Sequence, residues 1–70
     1  MNIRDIKRYM LSKIGSRIVI IYYGSRNRKE KYIGLLDKIY SNVFTIRLFN
    51  GDIKSFSYSD ILTKTIQIYI

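Results

Sequence analysis

Ile3, Ile6 and Met10 recur at helical spacing in the first dozen residues, and Arg4, Lys7 and Arg8 take the positions between them. That pattern predicts one amphipathic helix over residues 2–12. Asn2 stands where an N-cap belongs, and Asp5, three residues on, completes a capping box at the positive helix end. Gly15 reads as the stop. From Arg17 the periodicity changes. Arg17–Tyr23, RIVIIYY, is a β-branched run apolar on both parities, which suits a strand with neither face fully solvated. Residues 24–31, GSRNRKEK, form the most polar stretch and read as a connection. Residues 32–40 predict a second strand, in which Gly34 marks a bulge or sharp bend. Ser41 and Asn42 make a tight turn. Residues 43–49 predict a third strand, with Phe44, Ile46 and Leu48 on one face and Thr45 and Arg47 on the other.

Asn50-Gly51 between apolar runs is a strong hairpin signal, of the type I′ kind with positive φ at both positions. Strands four and five follow at residues 53–58 and 63–70. The SDIL between them is too short for a true helix and suits one 3₁₀ turn. In that turn Ser59 or Asp60 caps and Ile61 and Leu62 point inward. One helix, five short strands and a turn before the last strand describe an all-β domain. The expected architecture is a small SH3-like or Sm-like barrel with an N-terminal α-helix, a single domain over residues 1–70. Closure would hide edges that so isoleucine-rich a sheet otherwise exposes. Strand one, apolar on both faces, needs a cover on each side. The helix supplies part of it, and a homodimer is the expected source of the rest.

Composition sharpens this picture. Seventy residues allow one small core, and 47% apolar content is that of a globular chain. No segment approaches the roughly 18 apolar residues of a membrane span, and the charged N-terminus is unlike a secretory signal. A cytoplasmic protein with no membrane association is expected. Net charge is +8, and it is uneven. Residues 1–31 hold nine bases and two acids, whereas residues 32–70 hold four and three. An acidic partner follows from so one-sided a field. The sharpest cluster is Arg26, Arg28, Lys29 and Lys31 at one hairpin tip, with Arg17 at the base of its first strand. Arg4, Lys7 and Arg8 form a second basic patch. Either can meet a phosphate backbone or an acidic protein surface. The alternative for both is a solvated surface that serves solubility.

Catalytic constellations are missing. The chain has no histidine and no cysteine, which removes the usual base, the thiol nucleophile and thiolate metal sites. Ser57 or Ser59 beside Asp60 would need Lys64 as a base, and strand five sends Lys64 outward. The five acids are scattered, without metal-ligand spacing. No catalytic residue, metal or cofactor is expected. Tyrosines interleaved with bases resemble single-strand nucleic-acid platforms, although packing accounts for most of them.

Certain segments go further. DIKR near the N-terminus, the glycine before Arg17, RNRKEK, GLLDKIYSNVFTIRL and above all SFSYSDILTKTIQI resemble the Veg family, small proteins of Gram-positive bacteria named as stimulators of biofilm formation. The last segment fits an S-[YF]-S-Y-x-D-[VI]-L-T-x-T pattern position by position. The chain departs from the family at Tyr40-Ser41-Asn42, where Tyr-Pro-Ser is usual. The resemblance implies a non-enzymatic protein that modulates transcription, antagonising a repressor by direct or indirect contact. A nucleic-acid-binding module of Sm or ribosomal type is the alternative.

Overall fold

The computed structural model describes residues 2–24 and 28–70. Its elements run α1 (Ile3–Leu11), β1 (Arg17–Tyr23), β2 (Lys29–Ile39), β3 (Val43–Leu48), β4 (Ile53–Ser57), α2 (Tyr58–Leu62) and β5 (Ile66–Tyr69). The five strands form one antiparallel sheet in the order β4-β3-β2-β1-β5. The molecule is mostly β with a short N-terminal helix, as the pattern predicted. Among the described residues the sheet is not closed into a barrel, because β4 and β5 remain its two edges. The reason lies in α2, which packs against β4, β5 and α1 and so puts helix where a closing ladder would run.

Helix α1 begins as the capping pattern implied: the Asn2 Oδ1 accepts the Asp5 backbone N–H at 2.9 Å. Ile6 and Met10 turn inward and are buried. They meet Ile18 and Ile20 of β1, Leu36 of β2, Phe44 and Ile46 of β3, Tyr58 and Ile66. All the strand members of that set share one face, hereafter the inner face. Rings extend it: Phe44 stacks on Phe56 at 5.8 Å between centroids and meets Tyr58 at 5.6 Å. Such pairs add about 0.5–1.5 kcal/mol each beyond area burial. The buried Tyr58 hydroxyl donates to the Tyr40 carbonyl at 2.8 Å, so it carries no unmet donor into the core. Burial pushes its ionisation above the ordinary value.

Four local expectations change. Gly34 is no bulge; the register shift falls between Leu36 and Lys38 instead. A Cβ at Gly34 would lie 2.2 Å from the Arg47 carbonyl oxygen, so glycine permits the close β2–β3 approach. The Asn50-Gly51 hairpin is a three-residue loop rather than type I′. Gly51 N–H donates to Leu48 O, Leu48 N–H donates to Asp52 O, and Gly51 carries the positive φ of 94°. SDIL belongs to a true α-helical turn, α2, with Ser57 rather than Ser59 or Asp60 as N-cap. In it Ile61 packs on the core while Leu62 stays exposed. Finally, Lys29, Glu30 and Lys31 lie in the ladder opposite Tyr23, Tyr22 and Ile21, so the polar connection is shorter than its composition implied.

Replacing Gly34 with alanine tests the close approach. The clash is with backbone, which cannot rotate away, and overpacking of this kind costs about 3 kcal/mol. The expected result is a fall in Tm of at least about 10 °C by calorimetry; an unchanged Tm would show that β2 and β3 have room to part.

Candidate functional site: the open sheet face and its basic end

Strand alternation sends every second residue away from α1. On this outer face β1 presents Arg17, Val19, Ile21 and Tyr23, and β2 presents Lys29, Lys31, Ile33 and Leu35. Neither helix covers them, since α1 and α2 both pack with the inner cluster.

The basic end is built where β1 passes into β2. Gly24 N–H donates to the Arg28 carbonyl at 2.8 Å, closing the connection just beyond the Tyr23–Lys29 pair. Tyr23, Gly24, Arg28 and Lys29 line a cleft of about 160 Å³. Lys29 Nζ lies 5.5 Å from the centre of the Tyr23 ring, within range of a cation–π attraction. The ring is anchored in turn, because the hydroxyls of Tyr23 and Tyr69 both donate to Gln67 Oε1, at 2.8 and 3.0 Å. Glu30, the acid of this stretch, faces the other way and accepts the Tyr32 hydroxyl at 2.6 Å. Its carboxylate is thus kept off the basic face. Arg28 and Lys29 line this cleft, and Lys31 stands two residues further along β2, opposite Ile21. Arg26 lies outside the described residues.

Arg17 does not join them. It sits six residues along β1 from Tyr23, about 20 Å away at strand rise. Its neighbours are different: Arg17 pairs with Leu35, Leu35 with Arg47, and Arg47 with Ile53. The result is a straight row across four strands in which cation and apolar side chain alternate. Leu35 is 39% exposed and Ile53 50% exposed. Asp37 lies 3.8 Å from Arg47, a solvated contact of little energy that leaves the guanidinium mostly in water. Arg47 was visible in the sequence only as a member of the polar parity of strand three. Its place beside Leu35 follows from the strand register, which hydropathy alone does not disclose.

The second patch is on the opposite side. Arg4, Lys7 and Arg8 line an open depression of about 420 Å³ with Ile3, Leu11 and Ser41. Lys7 Nζ also reaches to 5.9 Å from the Tyr58 ring. Ser57 Oγ accepts the Ser59 N–H at 3.2 Å as the N-cap of α2 and contacts Ser59 Oγ at 2.7 Å. Among the described residues no three carboxylates gather as a metal site would need. No described helix is long and apolar enough to cross a membrane.

The chain is thus a small, mostly β protein with a short N-terminal helix and a sheet face bordered by cations. The family model described as biofilm formation stimulator VEG matches residues 1–69, and the chain belongs to that family. No individual curated protein matches it.

The Tyr32–Glu30 bond has a measurable signature. The bond to the Glu30 carboxylate, then burial, raise the Tyr32 ionisation above its ordinary value of 10.0. A raised value stabilises the fold in full below pH 10, and that stability is lost as pH climbs through the folded-state value. A ring-carbon NMR titration should show Tyr32 ionising above pH 10, and at lower pH in Glu30→Gln. Identical titration in both proteins would remove the bond.

Proposed function

We propose that this chain is a non-enzymatic regulatory binding protein of the cytoplasm that stimulates biofilm formation by engaging a protein partner, a transcriptional repressor, and antagonising it. The observation that carries this reading is the basic end of the β1–β2 hairpin. There Arg28 and Lys29 flank an anchored Tyr23, Lys31 follows on the same face of β2, and Glu30 is turned away and held by Tyr32. Charge so arranged steers an acidic partner and sets its orientation. Family membership supports the regulatory half of the proposal. The strand order, with a helical turn before the last strand, supports kinship with the SH3-like and Sm-like sheets in an opened form.

A nucleic-acid partner is the second reading, favoured by the lysine-capped Tyr23 ring beside the cleft. Two features weigh against it. The Tyr23 and Tyr69 hydroxyls are both committed to Gln67, and the middle of the outer face is aliphatic, which gives bases little to stack on.

A pull-down from native lysate with nuclease added separates the two. The wild type should retain a protein partner through nuclease treatment, and the Arg28→Ser, Lys29→Ser, Lys31→Ser triple variant should retain at least tenfold less. Retention that nuclease abolishes, with a salt slope of about −0.7 to −0.9 per phosphate neutralised, would decide for nucleic acid. A partner held equally by the triple variant would place the site elsewhere.

A further inference from the structure

The middle of the outer face has no cover among the described residues. Val19, Ile33 and Leu35 form its aliphatic centre, and Ile53 prolongs it across β3 to the β4 edge. Polar ends border this band. Arg17 and Arg47 flank Leu35 at one end, while Lys31 and then Lys29 stand on β2 at the other. Asp37, already beside Arg47, is the acid at that first end. Strand geometry gives the scale. Lys31 and Leu35 are four residues apart, about 13 Å, and the two arginines lie two strand spacings apart, about 10 Å.

We propose that the outer face of β1–β3 is the docking site for an acidic amphipathic helix of a partner protein. Its apolar stripe lies on Val19, Ile33 and Leu35, one carboxylate meets Arg17 and Arg47, and another meets Lys31 and Lys29. A helix turns once in 3.6 residues and rises about 1.5 Å per residue, so two acidic positions about seven or eight residues apart stay on the sheet-facing side and stand about 11–12 Å apart, a span that the long lysine side chains complete. A helix is the element that covers a sheet face, as α1 does on the inner side, whereas an added strand would seek the β4 or β5 edge. Charge selects among occupants. A second copy of this chain would set Arg17, Arg47 and Lys31 against the same cations, and like charges brought together in a desolvated interface are costly. An acidic helix meets the opposite sign at both ends. The inference rests on the protein-binding reading above and gives the partner its chemistry. It also recruits Arg17 and Arg47, which the basic hairpin end does not include.

The probe is a panel of synthetic helical peptides of about 18 residues, each with a leucine stripe and glutamates about seven or eight residues apart beside it. They are titrated into the isotope-labelled full chain and followed by amide shifts. Controls are the same peptides with glutamine for glutamate, an oligoglutamate, and oligothymidine. Shifts should centre on Val19, Ile33, Leu35 and Arg47. Binding should weaken at least tenfold with the glutamine peptides, with oligoglutamate, and in a Leu35→Ser, Arg47→Ser variant whose unbound amide spectrum is otherwise retained. Absence of binding across the panel overturns the proposal. So do shifts centred on α1, oligoglutamate binding as tightly as the peptides, oligothymidine occupying the same residues, or a concentration-dependent dimer that protects Leu35. The lysate experiment keeps the two proposals apart. A protein lost by the Arg28, Lys29, Lys31 variant but held fully by the Leu35, Arg47 variant leaves the regulatory reading standing and sinks this one.

Discussion

A sheet has two faces, and the described residues provide helices for one. That asymmetry governs the rest of the structure. Ile6 and Met10 are the side chains α1 contributes to the core, and α2 adds Tyr58. Together they bury the inner residues of β1, β2, β3 and β5 and bring in Phe44 for the ring stack. A Cα envelope of 33 × 30 × 17 Å is that of one sheet with one helical layer on it. The described residues place no second layer on the other parity of β1 and β2, where Val19, Ile21 and Ile33 are half-buried.

The close approach at Gly34 works toward the same end. With no side chain there, the carbonyl of Arg47 comes within the space a Cβ would fill, and β2 and β3 are drawn together. One residue further on each strand, Leu35 and Arg47 stand opposite each other on the outer face. The apolar and cationic members of the open face are adjacent through the same ladder register that sets Gly34 opposite Leu48.

Much of this was legible in the residues themselves. The helix, its Asn2 cap, the strand starts at Arg17, Val43 and Ile53, and the inner set of Phe44, Ile46 and Leu48 all follow from period and capping chemistry. Turn chemistry was harder: Asn50-Gly51 signals a hairpin, but the dipeptide does not say whether two or three residues make the loop. The lysines of β2 read as loop because polarity masks a ladder position whose partner is Tyr23 or Ile21 on another strand. Closure failed for a related reason. Whether β4 reaches β5 depends on how α2 packs between them, a long-range choice invisible to local pattern. Arg17 was grouped with the hairpin end by charge, yet register puts it with Leu35 and Arg47.

The central claim is that the outer face is open to solvent in the protein alone, ready for a partner, and that no second copy or folded-over edge covers it. Solvent paramagnetic relaxation of methyl-labelled protein at high concentration measures this directly. Leu35 and Ile53 methyls should broaden strongly, Val19 and Ile33 less, and Ile18, Ile20 and Ile46 scarcely at all. Equal protection of the two sets would mean that the face is already covered, and the account would be contradicted at its base.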